Sequence, residues 1–445
     1  MKKQIIMLLG IVVWLSQTSA ALAEDPRSIT LSQAVEAALT GNPDLLQSQN
    51  QLSLAQINLR QKKAGFLPEL SFSASGTRTF AEAESSPGGK STQAKLNLGL
   101  DLNLFNGFAD ASALKVSRLE QLMAGQDFDR SRQTIVFNTI QAYMQTLISQ
   151  GLIRVEEENL AAQDMQLGVI TDFHQAGKRP KADLYQQQAE MARSELLLLE
   201  AKRTDHDRKL ALMQLLGQSP RSDYQVLDPG AETIITRLEA VDMERLVSQA
   251  MDKRPDLQSR RLDTRAAAEE ITTAASGYWP KLSLFADLGS SFSNLRDTSL
   301  STQLFEDQVS GSVGLSLSVP IFDKSRTASA VASARVMEKN SRLLFEKARH
   351  QVELEIRQAL ESYHSARQSL EVTKLQLVYA RQALESIEAR YRIQASTLAE
   401  LISARAQWTQ ARYNEVQTRY TLLIRALAIA YHSGDEQAMI RLIGM

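Results

Sequence analysis

The chain has 445 residues, enough for two or three ordinary domains, and a formal net charge of −1. That balance leaves no electrostatic footprint for a nucleic-acid partner. With no cysteine, the sequence excludes disulfides, thiolate metal sites, a cysteine nucleophile and a lipid carried on an N-terminal cysteine, and its five histidines are too scattered to form a metal ligand set.

Lys2 and Lys3 precede an apolar run from Ile5 to Leu15, and small residues follow, ending in Ala21-Leu22-Ala23. This order predicts a secretory signal peptide over residues 1–23. The run is shorter than the roughly 20 residues a membrane-spanning helix requires. Apolar residues Leu31, Val35, Ala38, Leu52, Ala55 and Leu59 then recur at helical spacing, which predicts one helix over 31–66, closed by Gly65 and Pro68.

Beyond Pro68 the period changes to two. Leu70, Phe72 and Ala74 alternate with serines, and a polar Gly/Ser/Pro stretch follows around 85–91. In "KLNLGLDLNLF", Leu96, Leu98, Leu100, Leu102 and Leu104 lie on one face, and Asn97, Gly99, Asp101 and Asn103 on the other. A soluble half-buried strand and a transmembrane β-strand both fit this pattern. A long helix is predicted from about 108 to 176, with Ile140, Tyr143, Met144, Leu147 and Ile148 on one stripe. At 1.5 Å per residue it spans about 100 Å, too long for the core of one globule. Gly177 and Pro180 punctuate it, and a return helix runs from Lys181 to Leu216. "GQSPRSDYQVLDPG" reads as a loop.

The second half repeats the first. Pro43, Gly65 and Pro68 recur as Pro255, Gly277 and Pro280, a shift of 212 positions. After the strand region the shift is 217: Phe105 matches Phe322, Asp183-Leu184 match Glu400-Leu401, and Gly217 matches Gly434. Such constant self-similarity marks an internal duplication. It predicts a first structural repeat over 24–217, a linker over 218–241, a second repeat over 242–434 and a C-terminal tail over 435–445. Each half reads helix, two strands, long helix, return helix. A short first helix and a return helix stacked end to end match the long helix in rise, so each chain supplies four full-length staves. Four strands cannot close a membrane barrel, and open edges in a bilayer are costly. Copies must therefore pool strands, eight in a dimer or twelve in a trimer.

The "NPDL" and "RPDL" openings, the "GFLPEL" and "GYWPKL" junctions, "LNLFNG", "SVPIFD" and "RYRIQASTLAEL" together resemble the TolC-like outer-membrane factors. The resemblance covers essentially the whole chain beyond the signal peptide. It implies a mixed α and β membrane protein: a long α-helical barrel plus a transmembrane β-barrel with four strands per chain, closed as a homotrimer of 12 strands. It also implies an exit duct for efflux or type I secretion in the outer membrane of a Gram-negative bacterium. Such a duct is set in outer-membrane lipid and extends into the periplasm. There it docks on a periplasmic adaptor and an inner-membrane transporter of RND or ABC type, and no cofactor is needed. The alternative reading is a periplasmic coiled-coil adaptor or scaffold without a pore; an enzyme has no support.

The resemblance places Asp183, Glu400 and Tyr391 at a periplasmic aperture, and Gly177, Lys178, Arg179, Gln394 and Ser396 at the helix tips that meet the adaptor. A carboxylate ring at a constriction attracts cations. Alternatively, Asp183 and Glu400 are first-turn helix acids favoured by the macrodipole. Relatives commonly carry Gly at the position of Gln394, which predicts a second turn built differently from the first. Lys178, Arg179 and Lys181 in the first turn face Ser396 and Thr397 in the second, which argues against a symmetric latch. Glu156-Glu157-Glu158 is expected to be a solvated face. Phe66, Phe105, Tyr278, Trp279 and Phe322 fit either an aromatic girdle or junction packing.

Overall fold

The computed structural model describes residues 27–79, 91–230 and 242–442; the expected signal peptide, most of the first strand loop and part of the linker lie outside them. The first repeat runs β1 (Arg27–Ile29), α1 (Leu31–Gly41), α2 (Pro43–Ala64), β2 (Glu69–Thr79), β3 (Ser91–Phe105), α3 (Ala109–Gln175) and α4 (Lys181–Leu215). After β4 (Tyr224–Val226), the second continues α5 (Met243–Lys253), α6 (Pro255–Ala275), β5 (Lys281–Ser293), β6 (Ser310–Ser318), α7 (Arg326–Arg392), α8 (Leu398–His432) and α9 (Glu436–Leu442). The long helices both have 67 residues and the return helices both 35, and their ends keep the 217-residue shift.

The predicted first helix is broken at Asn42. Pro43 has no N–H to continue the ladder and pushes Asn42 out of the helical region, to φ −67° and ψ 123°. The Asn42 side chain then caps α2, accepting from the N–H groups of Asp44 (2.9 Å) and Leu45 (3.2 Å). Arg254 makes the same break before Pro255.

The helices form a layer. α3 packs against α2 and α4 on one side and against α6 and α8 on the other, and α7 packs beyond them on α6 and α8. Asn42 Nδ2 donates to the carbonyl of Leu215 (2.8 Å), so the start of α2 abuts the end of α4 and the two form one composite stave. The main core lies at this joint. Val35 and Ala38 of α1 meet Val136, Ile140 and Met144 of α3 and Leu212 of α4. The Tyr143 hydroxyl sits between the carbonyls of Ile29 (2.8 Å) and Leu227 (2.7 Å) and accepts from the Leu227 N–H (2.9 Å). Those carbonyls flank β1 and β4, a parallel pair of three residues each where a plain loop was expected. Residues 436–442, expected as tail, form α9, whose Met439 is buried in the same core.

The other strands make one antiparallel sheet in the order β2-β3-β5-β6. Its register places like with like: Phe72 opposes Leu98, Leu98 opposes Leu288, Leu102 opposes Leu284 and Leu284 opposes Leu315. One face is therefore apolar over the middle of the sheet. The opposite face carries Ser71, Ser73, Asn97, Asp101, Ser283, Asp287, Ser312 and Ser316. Phe285 also falls on the polar face, where its ring covers Gly314; a Cβ on Gly314 would lie 2.6 Å from the ring. No helix among the described residues is long and apolar enough to cross a membrane.

At the strand–helix junction Phe105, Phe108 and Trp279 pack edge to face, with ring centroids 5.3 to 6.5 Å apart. Phe322, the counterpart of Phe105, stays exposed.

Candidate functional site at the helix tips

Both hairpins turn in the same way, contrary to the expectation for Gln394. After α3, Gly177 takes a left-handed φ of 71°, its N–H bonds the His174 carbonyl (2.9 Å), and the Lys178 N–H reaches the Phe173 carbonyl (2.8 Å). After α7, Gln394 takes φ 63°, bonds Tyr391 O (3.0 Å), and Ala395 reaches Arg390 O (2.8 Å). These paired bonds satisfy the last carbonyls of each helix. They hold Gln394 in a conformation that costs a residue with a Cβ roughly 1–2 kcal/mol.

The starts of the return helices differ. Thr397 caps α8 with a capping box: its hydroxyl accepts from Glu400 N–H (3.2 Å), and the Glu400 carboxylate accepts from Thr397 N–H (3.1 Å). Pro180 begins α4 with no side-chain cap, and Asp183 is instead paired with Arg179 at 3.4 Å. The Arg179 guanidinium also lies over the Tyr391 ring, 4.7 Å from its centroid. His174 Nδ1 lies 3.0 Å from the Arg179 carbonyl. Asp183, Arg179 and Tyr391 thus form one chain of contacts that ties the tip of the first hairpin to the second. Glu400 takes no part in it, so the two carboxylates have unequal local roles and the latch is one-sided. Lys178 and Gln394 are exposed, and Ser396 is buried.

Tyr391 is only 4% exposed, packed with Ile170, Leu384, Leu398, Leu401 and Ala404. Burial pushes its phenol up, Arg179 opposes the rise and Asp183 adds to it.

Two features escaped the sequence reading. Glu156 is buried in the helix layer, which raises its carboxyl pKa, while Glu157 and Glu158 pair outward with Lys202 and Arg412. A buried polar seam also joins α3 to α4: Ser149 to Asp205 (2.8 Å), Asn159 to Ser194 (3.1 Å) and Gln163 to Gln187 (2.7 Å). Applying the 217-residue shift, Ser149, Asn159, Gln163, Gln187, Ser194 and Asp205 become Ala366, Gln376, Ala380, Ala404, Ala411 and Leu422 in α7 and α8. Comparing the halves residue by residue would have shown this. Buried polar pairs fix helix register; between α7 and α8 the polar ties are instead Arg405 to Glu388 (2.7 Å) and Asn414 to Gln376 (3.3 Å).

The outer membrane efflux protein family profile matches residues 34–218 and 246–434. The chain is 24% identical over 420 residues to outer membrane protein TolC of Salmonella enteritidis, covering 93% of this chain and 84% of that protein. It is 23% identical to protein CyaE of Bordetella pertussis, covering 92% and 84%. Its fold matches the crystal structure of the Campylobacter jejuni CmeC outer membrane channel with a TM-score of 0.79 at 20% identity, over 91% of this chain and 85% of that one. The chain belongs to the outer membrane efflux protein family, whose members are outer-membrane channels and not enzymes.

Proposed function

We propose that the protein is the exit duct of a tripartite efflux pump or a type I secretion system. Three copies close a 12-stranded barrel in the outer membrane and a helical tunnel of 12 staves below it. A periplasmic adaptor, with its inner-membrane transporter of RND or ABC type, docks at the tips around Gly177, Lys178, Arg179, Gln394 and Ser396. The observation that carries this reading is the four-stranded sheet. It has one apolar face and one hydroxyl-rich face, and it sits at one end of a helical layer about 100 Å long. Its edge strands β2 and β6 each pair on one side only, and their outer edges meet no strand among the described residues.

The duplication supplies a template for closure. Inside the chain the first repeat docks on the second through β3 on β5 and α3 on α6. The matching surfaces, β6 with α7 and β2 with α2, are the two open flanks. α7 exposes Met337, Leu344, Leu354, Val372, Leu375 and Tyr379 at a 3.5-residue period, and the other flank exposes Leu54, Ile57, Leu196 and Leu199. Arg130 lies 4.0 Å from Asp256 in the chain; the shifted counterparts are Lys347 and Asp44, both exposed and opposite in charge. Head-to-tail contacts of this kind close rings.

The in-chain pair Asp101–Phe285 maps to Ser318 of one copy and Ser73 of the next. In this cysteine-free protein, S73C plus S318C should oxidise to covalent trimers on a denaturing gel. Monomers alone after oxidation would refute this closure.

At the aperture, purified protein in a planar bilayer should show a small cation-selective conductance. Asp183→Asn with Glu400→Gln should lower that selectivity. Most of the drop should come from Glu400, because Arg179 already offsets Asp183. Glutamine preserves the capping box, so the effect isolates charge. An unchanged reversal potential would remove the aperture assignment.

A further inference from the structure

At the end of the sheet away from the helices, β5 and β6 are joined by a built turn. The chain makes one helical turn, Leu300–Thr302, which widens into a π-turn, Gln303–Asp307. Gln303 is wholly buried and pins it. Its carboxamide accepts from the Ser293 N–H (2.9 Å) and donates to the carbonyls of Ser293 (3.2 Å) and Thr298 (2.8 Å). The Ser299 hydroxyl caps the turn, accepting from the Thr302 N–H (3.2 Å). The second repeat is longer than the first between Pro280 and Phe322, the stretch that holds this turn.

One bond fixes the side on which the turn lies. Ser290 opposes Leu96 in the register and so shares the face of Leu98 and Leu288. Its hydroxyl donates to the Leu304 carbonyl at 2.6 Å. The turn is therefore drawn to the apolar side of the sheet, not across the polar face that would line a barrel. Leu300 and Phe305 remain exposed, Phe305 at 73%. Arg296, Asp297, Glu306 and Asp307 beside them are exposed too. Large apolar side chains at the rim of an apolar wall, flanked by charges, have the composition of a segment lying in a membrane interface.

We propose that this turn is a lipid anchor, which seats Leu300 and Phe305 among the acyl chains of the outer leaflet just beneath the head groups. The anchor rests on the reading of the sheet as part of a membrane barrel. It carries the apolar face one step further out than the strands do, and Gln303 is the pin that holds it on the lipid side.

The chain has no cysteine, so single labels can be placed without altering it further. Nitroxides at Phe305→Cys, at Val313→Cys on the apolar face and at Asp297→Cys are read in proteoliposomes. Their collisions with oxygen, which concentrates in lipid, are compared with those of a water-soluble nickel chelate. The oxygen-to-nickel ratio at 305 should exceed that at 297 by about tenfold and match that at 313. Adding Gln303→Ala should drop the ratio at 305 to the level at 297 and leave 313 unchanged, which separates release of the turn from misfolding. A lipid signature at 313 with open nickel access at 305 would overturn the anchor and leave the barrel standing. A label at 305 that neither reagent reaches would also overturn it, in favour of a seat on a neighbouring copy. Open nickel access at 313 as well would remove the barrel reading, and the anchor with it.

Discussion

Arg254→Ala should destabilise the protein by about 3–5 kcal/mol, the usual result of removing one partner from a buried ion pair. Arg254 stands at the break between α5 and α6, its side chain only 4% exposed, bonding Asp256 at 2.6 Å and Glu355 at 2.5 Å. Glu355 also receives His432 at 3.3 Å. Burial alone would push the Glu355 carboxyl up, but the bonds from His432 and Arg254 outweigh it and hold the pKa at about 2. A carboxylate with a depressed folded pKa contributes stability above its unfolded pKa and loses it as pH falls through the folded value. The wild type should therefore lose stability as pH drops from about 4.5 towards 2, and Arg254→Ala should flatten that slope. Circular dichroism melts across this range would show both effects. A loss under 1 kcal/mol at neutral pH would mean that the pair is replaceable.

Gly217→Ala should be as damaging, at about 4 kcal/mol, in the range reserved for core disruption or severe strain. Gly217 follows α4 with φ 65°, and a methyl group there would overlap the carbonyl oxygen of Gly41. Gly41 offers no relief, since its own Cβ would lie 2.7 Å from the Leu216 carbonyl. The two backbones meet with no room for a side chain, and separating them would break the bond from Asn42 to Leu215. Denaturant unfolding of Gly217→Ala and of Gly168→Ala, whose site is open, would compare the joint with an ordinary helix position. Equal midpoints would refute the close approach.

Much of the architecture was legible because long periodic segments and constant shifts leave little freedom. The ends of α3 and α4 were placed to within a residue or so, and the alternating leucines of β3 lie on one face of the sheet. The break at Asn42 was written in Pro43 but outweighed by helical spacing on both sides. β1 and β4 are too short for any period to appear, and they exist because Tyr143 and the α1 joint hold them together. At the tips, the residues were placed but not their partners. The approach of Arg179 to Tyr391 joins positions more than 200 residues apart, and nothing local encodes it. Gln394 was misjudged because backbone bonding, not residue type, sets that turn.

The duplicated joint has a consequence for assembly of the chain itself. Two halves with matching folds invite a folding error in which one takes the other's seat. The joint tells them apart: Asn42 makes it in the first half and Arg254 in the second, and the position matching Glu355 is Asn138. Seated in the wrong place, Arg254 would keep Asp256 but meet Asn138 in place of Glu355, and Glu355 would lose its guanidinium. That penalty of several kcal/mol gives each half an address, so the nascent chain can discard the swapped topology before three copies meet.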